Sequence, residues 1–331
     1  MLDQDKLLSL LNRPGAQSGT LLGQALGVSR VTVQKHIQSL IDNGLPITAV
    51  PGKGYSIESG IGLLSAEAIA DEIISANPAH QGSFASLEVH QSLSSTNDHL
   101  LGQSFDSGQM RVCVAEAQQS GRGRRGNVWQ SAPYRNIMLS ASWSFPSWPE
   151  TITGLGLAVA QTVVELLNDQ SQDAHNQPRI KIKWPNDLMV TDDKLGGILI
   201  DVAGEASGAC NVVLGLGLNV HQPDWSSSNA DYRWCDLKSL GLPVDRNMLV
   251  GQIVSAWLSM LREFEQSGFA PLTERWNKLN SYAQKRIRVG ERENGIQGKM
   301  LGVDSAGALL LESDDGQVHR FSESNVSVRL I

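Results

Sequence analysis

Three arginines stand inside one glycine-rich hexapeptide, Gly121-Arg122-Gly123-Arg124-Arg125-Gly126. A guanidinium binds carboxylate or phosphate through paired hydrogen bonds and does not deprotonate. Glycine lets the backbone approach a ligand closely and lets a loop reorder. The string also satisfies G-x-G-x-x-G and comes after Arg111–Ala117, which reads as a strand. A dinucleotide site would need a helix to open at that loop. The next residues, Asn127-Val128-Trp129-Gln130-Ser131-Ala132-Pro133, are not helical, and they lead into a further strand, Asn136–Trp143. The dinucleotide reading fails. The expectation is a cationic lid over an anionic ligand, with the Gln118-Gln119 amides and the Trp129 ring beside it; the plain alternative is a solvated basic loop.

Other chemistry-bearing residues are spread along the same stretch. Lys183-Trp184-Pro185-Asn186-Asp187 ends a short strand, Ile180–Trp184, with a turn. Strand ends are good places to meet a ligand. Lys183 and Lys194 offer point charges for phosphate or carboxylate, and Asp187 could hold Mg2+. The alternative is a strand-end salt bridge with Trp184 in the core. Gly196-Gly197 and Gly215-Leu216-Gly217 lie in two later strands, where glycine often marks close approach of a ligand or another chain segment. Ser95-Thr96-Asn97 supplies hydroxyls and an amide suited to a neutral, hydrogen-bonding ring, or to capping the next helix.

A different kind of chemistry is written near the N-terminus. Ser18 can cap a helix ending near Leu26-Gly27, and Ser29 a second. In the second, Val33, Ile37, Leu40 and Ile41 form one apolar face, while Arg30, Thr32, Gln34, Lys35 and Gln38 lie largely opposite. Asn43-Gly44 ends it. Ile47–Val50 and Tyr55–Ile57 read as strands joined by Pro51-Gly52-Lys53-Gly54. Two helices around a glycine turn, with a hairpin after them, match a winged helix-turn-helix. Ser29 would start its recognition helix, Arg30 and Gln34 suit base edges, Lys35 suits phosphate, and Lys53 sits at the wing tip. A ligand-free three-helix bundle is the alternative.

The elements that must position these groups fall into three stretches. After a linker, Glu58–Leu64, and a helix, Ser65–Ala76, strands alternate with helices: Leu87–Gln91, the strands already named, a helix at Ile152–Asn168, Gly196–Val202, Val212–Asn219 and a helix at Arg246–Ser267. Beyond about Asn280, five brief strands with Gly and Asp turns suggest a small barrel. The fold class expected is α+β: a winged helix-turn-helix (1–64), a central mixed α/β domain (65–279) and a small SH3-like β-barrel (280–331). The chain's 331 residues exceed one ordinary core. With 41% hydrophobic and 18% charged residues it reads as globular. A net charge of −7 confines any DNA binding to a local basic face. No signal peptide or membrane span is read. The three cysteines, Cys113, Cys210 and Cys235, lack metal-ligand spacing in sequence and read as reduced structural thiols in a cytoplasmic protein.

Taken together, Ser95-Thr96-Asn97, Gln118 with Gly121–Gly126, Lys183–Asp187 and Lys194-Leu195-Gly196-Gly197-Ile198-Leu199 resemble, in order and approximate spacing, the biotin protein ligases. The N-terminal module and the wing Val50–Tyr55 further resemble the bifunctional bacterial type, ligase and biotin operon repressor in one chain. The likeness covers essentially the whole length. It implies that biotin and ATP give biotinyl-5′-AMP, which passes biotin to a lysine of the biotin carboxyl carrier protein of acetyl-CoA carboxylase. It also implies a ligand-induced homodimer that binds the biotin operator. By the same resemblance, Ser95, Thr96, Asn97 and Gln118 would hold the ureido ring. Arg122, Gly123 and Arg124 would close over biotin, Trp129 would wall it, and Lys194 would meet its carboxylate or the α-phosphate. Lys183, Asn186, Asp187 (with Mg2+) and Asn219 would serve the nucleotide, Trp234 would stack on adenine, and Arg329 would reach the nucleotide or acceptor side. Arg122, Arg124, Lys183, Asp187 and Lys194 would carry catalysis. Three departures stand out: Asn127-Val128 replaces a more basic pair, Arg135 replaces a small residue, and the loop Pro223–Tyr232 is individual. A ligase that no longer regulates, a lipoate ligase and a ligand-sensing repressor are the competing readings.

Overall fold

The computed structural model describes residues 4–58, 62–149, 152–170, 180–204, 208–221, 233–242, 244–291, 294–322 and 326–331. The linker reading at 59–61 and the whole of the individual loop 223–232 lie outside these residues.

The N-terminal unit contains α1 (Gln4–Leu11), α2 (Gly19–Leu26) and α3 (Arg30–Asp42), with the hairpin β1 (Ile47–Val50) and β2 (Gly54–Ile57) after them. The apolar face read from sequence is the buried one: Val33, Ile37 and Leu40 close a small core with Leu7, Leu11 and Leu22. Ser29 caps α3 by accepting the Thr32 N–H. Ser18 occupies the corresponding position before α2, but its hydroxyl makes no capping bond.

The central unit is built on one seven-stranded mixed sheet. Its elements are α4 (Ala66–Ala76), β3 (Phe84–His90), α5 (Thr96–Leu101), β4 (Met110–Ala115), β5 (Ile137–Phe145), α6 (Leu155–Asp169), β6 (Lys181–Lys183), β7 (Asp187–Val190), β8 (Asp193–Ala203), β9 (Cys210–Leu218), α7 (Arg246–Ser267) and α8 (Thr273–Leu279). Strand order is β3-β4-β5-β9-β8-β7-β6, with β3 and β4 parallel and every other pair antiparallel. Period-two alternation divides the sheet into two faces. Val112, Val114, Leu139, Ala141, Leu214 and Leu216 turn to a core shared with α4, α6 and α7. The opposite face carries cross-strand rows in which three of every four residues are small or polar: Cys113, Ser140 and Gly215 beside Leu199 in one, Gly217, Gly197 and Asp187 beside Met138 in the next. A sheet surface cleared of bulk on one side has room for a ligand there.

The C-terminal unit is a five-stranded antiparallel sheet in the order β13-β12-β11-β10-β14, formed by β10 (Arg286–Val289), β11 (Ile296–Val303), β12 (Leu309–Ser313), β13 (Val318–Phe321) and β14 (Val328–Leu330). The five strands expected in the tail are all present. Trp184, 2% exposed, fixes this unit to the central one by donating its indole N–H to the Gly307 carbonyl at 3.2 Å.

Candidate active site and nucleic-acid interface

Helix α5 delivers the first polar set. Ser95 is its N-cap and accepts the Asp98 N–H at 3.3 Å, so the capping alternative holds, at Ser95 and not at Thr96 or Asn97, which lie inside the first turn. Thr96 donates both its backbone N–H and its hydroxyl to Gln118 Oε1, at 2.8 and 3.1 Å. Ser140 Oγ lies 2.7 Å from Thr96 Oγ1 and 2.5 Å from Asn97 Oδ1. The Asn97 amide then donates to Asp201 Oδ2 at 2.8 Å. Asn97 fits because Gly215 has no side chain; a Cβ there would collide with its Oδ1. Ser140 and Asp201 are additions to the site. Asp201 was within reach of the sequence, since Gly197, Leu199 and Asp201 alternate onto one face of β8.

The arginine loop is an ordered hairpin. Arg122 bridges antiparallel to Val128. Gly123 N–H donates to Asn127 O at 2.7 Å, and Trp129 N–H to Gly121 O at 2.8 Å. The tip uses two successive left-handed residues, Arg125 (φ 59°) and Gly126 (φ 76°), and its helical content is a single short turn, Arg124–Gly126. The dinucleotide motif therefore fails for the reason expected. Arg122 is a latch: its guanidinium meets Asp98 Oδ1 and Asp201 Oδ2, each at 2.7 Å. The hydrogen bonds to Asp201 push it further above its already high range. Arg124 lines a cleft of about 390 Å³ with Asn186, Pro185 and the β8 residues Ile198–Asp201.

Across the glycine rows the charged residues gather. Lys194 Nζ meets Asp187 Oδ1 at 2.6 Å, and Lys183 Nζ lies 3.6 Å from Asp187 Oδ2. The salt-bridge alternative for Lys183 and the core alternative for Trp184 both describe this state. Lys194 Nζ also stands 5.5 Å from the centre of the Trp129 ring, within range of a cation–π contact. Trp129 rests on Gly217, where a Cβ would run into the indole. Asn219 donates to the Lys194 and Cys235 carbonyls, at 3.4 and 3.2 Å, and its Oδ1 is buried without a partner. Trp234 reaches this group because its segment pairs with β8 at Lys194. Its indole N–H and that of Trp129 are likewise buried and unpaired. Asn186 donates to the Ile198 carbonyl at 2.8 Å. Arg329 stands apart, exposed on β14 in register with Arg288. Burial pushes the Cys113 and Cys235 thiols up to about 12, which disfavours either as a thiolate nucleophile.

On the N-terminal unit, Arg30, Gln34, Lys35 and Gln38 are exposed along α3, and Lys53 at the hairpin tip. Ser29 and Thr32 spend their hydroxyls on each other at 2.9 Å, and Gln38 donates to Asp42 at 2.9 Å. The two units share a seam that the sequence did not signal. Tyr134, 1% exposed, belongs to the N-terminal core, and Pro133 sits against Gly44. Arg135, which stands where a small residue is expected, pairs with Glu58 at 2.7 Å.

Residues 89–219 match the Biotin/lipoate A/B protein ligase family, residues 3–56 an HTH domain, and residues 285–329 the Biotin protein ligase C terminal domain. The sequence is 36% identical over 326 residues to the Bifunctional ligase/repressor BirA of Escherichia coli (strain K12), covering 98% of this chain and 96% of the relative. It is 29% identical over 319 residues to the protein of that name from Bacillus spizizenii, covering 94% of each. In fold it is similar to the biotin protein ligase from Aquifex aeolicus in complex with biotin and ATP, at a TM-score of 0.63 and 21% identity, covering 75% of this chain and 100% of the other.

Proposed function

This chain belongs to the biotin/lipoate A/B protein ligase family as a bifunctional biotin ligase and repressor, and from that membership we propose how its residues divide the work. The boundaries 1–64, 65–279 and 280–331 separate DNA binding, ligation and the C-terminal cap. The enzyme is a biotin--[acetyl-CoA-carboxylase] ligase. The biotin carboxylate attacks the α-phosphate of ATP, and pyrophosphate leaves. The ε-amine of a lysine on the biotin carboxyl carrier protein then attacks the mixed anhydride, and AMP leaves. Both nucleophiles belong to substrates, so the protein's task is to position them and neutralise charge.

The observation that carries this reading is the convergence of Lys194, Lys183 and Trp129 over a glycine floor beneath the arginine hairpin. Two ammonium groups now share Asp187; a ligand carboxylate or α-phosphate gives Lys194 a second anion. Ser95, Thr96, Asn97 and Gln118 form the polar end, which suits a ureido ring better than an apolar dithiolane. Trp129 and Gly123 form the wall, while Asn186, Asn219 and Trp234 lie on the nucleotide side. The unpaired Trp234 and Asn219 atoms support that assignment, because buried polar atoms ordinarily find partners. Arg329 is kept for the acceptor side. The donor set does not build a resident Mg2+ site, since Lys194 already occupies Asp187 Oδ1. Mg2+ would instead be carried in on the ATP phosphates, and Asp187 would meet it only where the ligand has drawn the two lysines away.

For repression, Arg30, Gln34, Lys35, Gln38 and Lys53, positioned by Ser29 and Thr32, contact the biotin operator. The homodimer uses the edge of β8 beyond Ile198, where the pairing with β7 and Asn186 has ended among the described residues; a free strand edge can pair with a second chain. Ligand state reaches α3 through the segment from Trp129 to Tyr134, which begins at the ligand wall and ends in the N-terminal core. No described helix is long and apolar enough to cross a membrane.

Incubation with ATP and labelled biotin or lipoate, with and without a carrier domain, tests the enzyme. Biotinyl-AMP and a labelled carrier lysine are expected; lipoate labelling alone would overturn the reading. In a mobility shift with a biotin-operon promoter, biotin plus ATP should raise affinity steeply, and equal affinity without them leaves a ligase with no switch. Arg124→Gly is expected to leak the acyl-adenylate and acylate bystander proteins; tight retention would show that the hairpin is not the lid.

A further inference from the structure

Away from the ligase cleft, the outer edge of the sheet gathers a second set of donors. Glu88 on β3 and Cys113 on β4 are cross-strand partners. His90, two residues beyond Glu88, projects to the same face. Helix α5 packs on that face and brings His99. The result is three donors, His90, His99 and Cys113, whose ligating atoms all lie within 4.8 Å of one another, the one such group among the described residues. Both imidazole Nε2 atoms converge on a single oxygen of Glu88, at 3.0 and 2.9 Å. Gln103, one turn after His99 on the helix side, lies 3.2 Å from Glu88 Oε1 and 2.8 Å from His99 Nε2.

We propose that His90, His99, Cys113 and Glu88 form a binding site for one zinc-class divalent cation. Two imidazoles, one thiolate and one carboxylate are the mixed nitrogen, sulfur and oxygen set that zinc or cobalt takes in tetrahedral geometry, and that magnesium does not. Metal–ligand bonds of about 2.0–2.3 Å require His90, His99 and Cys113 to draw in by about 1 Å, and Glu88, which contacts both imidazoles but stands outside that group of three, to swing in from their side. The access path is open, since the side chains of His90, His99 and Glu88 are 30%, 26% and 32% exposed. Cys113, at 0% exposure, forms the floor. The charges balance: a doubly positive ion meets one thiolate and one carboxylate, leaving a neutral cluster that suits a half-buried position. The protons balance as well. The Cys113 thiol releases one proton to solvent, and each imidazole keeps its proton on Nδ1 while Nε2 coordinates. Gln103 is then the outer partner that orients Glu88. The sequence hid this site because its ligands come from a strand, a helix and the neighbouring strand, with no short repeat between them. Helix α5 also starts with the Ser95–Asn97 set, so the cation would pin the helix that presents biotin's polar contacts; that consequence rests on the ligase reading, whereas cation binding does not.

The test uses the full chain, stripped with a chelator and titrated with Zn2+ alone by calorimetry and with Co2+ by absorbance. One ion per chain is expected, with a thiolate-to-cobalt charge-transfer band and tetrahedral visible bands. His99→Gln and His90→Gln, both partly exposed positions, should each weaken Zn2+ binding by more than the roughly 10–100-fold that loss of an outer partner costs. Cys113→Ala should abolish the thiolate band, with circular dichroism checking that it folds. His319→Gln, on the C-terminal sheet, should change nothing. Zn2+ should raise the unfolding midpoint of the unmodified chain but not of His99→Gln. Absence of the thiolate band, or Zn2+ affinity unchanged in the two histidine variants, would overturn the site and leave Glu88 as a proton acceptor for two imidazoles.

Discussion

Gly217 shows how much of the ligand wall depends on an absent side chain. The Trp129 indole occupies the space a Cβ would need, so Gly217→Ala must expel the ring from its seat beside Lys194. The chain should still fold, because the opposite face of β9 is undisturbed. Biotin affinity should fall at least tenfold, about 1.4 kcal/mol. Calorimetric titration with biotin measures this, and unchanged affinity would mean that Trp129 does not wall the ligand. Legibility at this scale was uneven. Lys183, Asp187 and Lys194 could be read because charged residues stood among short apolar strands, and the structure does bring them together. Arg122 was read as a ligand cation, yet it already holds two aspartates. Those aspartates, Asp98 and Asp201, are distant from it in sequence, and no local pattern announces such a pair.

At the scale of elements, the N-terminus of α7 is held by a buried ion pair. Arg246 meets Glu116 Oε2 at 2.7 Å, with side-chain exposures of 5% and 1%. The same guanidinium donates to the Gly62 and Asn136 carbonyls, and Glu116 Oε1 accepts the Leu64 N–H. One cluster thus ties α7, the residue after β4, the start of β5 and the stretch leading to α4. Arg246→Ala would leave a buried carboxylate uncompensated and should cost about 3–5 kcal/mol in denaturant unfolding. The double change Arg246→Met with Glu116→Gln should recover most of that loss, because neither partner is then a bare charge; equal loss in both variants would shift the explanation to packing. Long helices and alternating strands were readable from periodicity, and α7 matches its expected span. Helix α5 was read without bounds, only as the next helix that Ser95-Thr96-Asn97 could cap. It has only six residues, and its capping serine doubles as part of the ligand motif, so chemistry and capping produce the same letters. Strand β7 was missed: only its first residue, Asp187, was assigned, to the turn Pro185-Asn186-Asp187, because the pairing of the rest to β8 is tertiary.

For the whole molecule, acid should loosen the packing of α7 on its neighbours. His80 is 1% exposed, with Nδ1 3.0 Å from Ser255 Oγ and Nε2 near Asn77 and Ser259. Burial, and then the positive charge of Arg262, hold its pKa below the ordinary 6.5. Between that folded value and 6.5 the unfolded chain binds more protons than the folded one. Stability from this group is therefore complete above pH 6.5 and is lost as pH falls towards the folded pKa. Urea unfolding between about pH 7.5 and 5.5 should show the decline, and His80→Gln should flatten it; an identical slope in the variant would assign the effect to other groups. The three-part order of the chain was legible because each part has its own periodicity: helical, then mixed, then short strands. How the parts touch was not, since a contact between units has no period.

The seam at Tyr134 carries a consequence for the chain's divisibility. Its ring is counted in the N-terminal core while its backbone N–H donates to Glu116 on the sheet side. The central unit therefore supplies part of the N-terminal unit's interior. Cut away residues 1–58, and the remaining enzyme would present to water, where a wall had been, a tyrosine, a proline and an Arg135 whose guanidinium has lost Glu58 and kept His221; cut away the enzyme, and the small helical core would lose one of its fillers. Reader of DNA and maker of the biotin adduct are thus inherited as one object, and a shortened form that kept only catalysis would first have to resurface this joint.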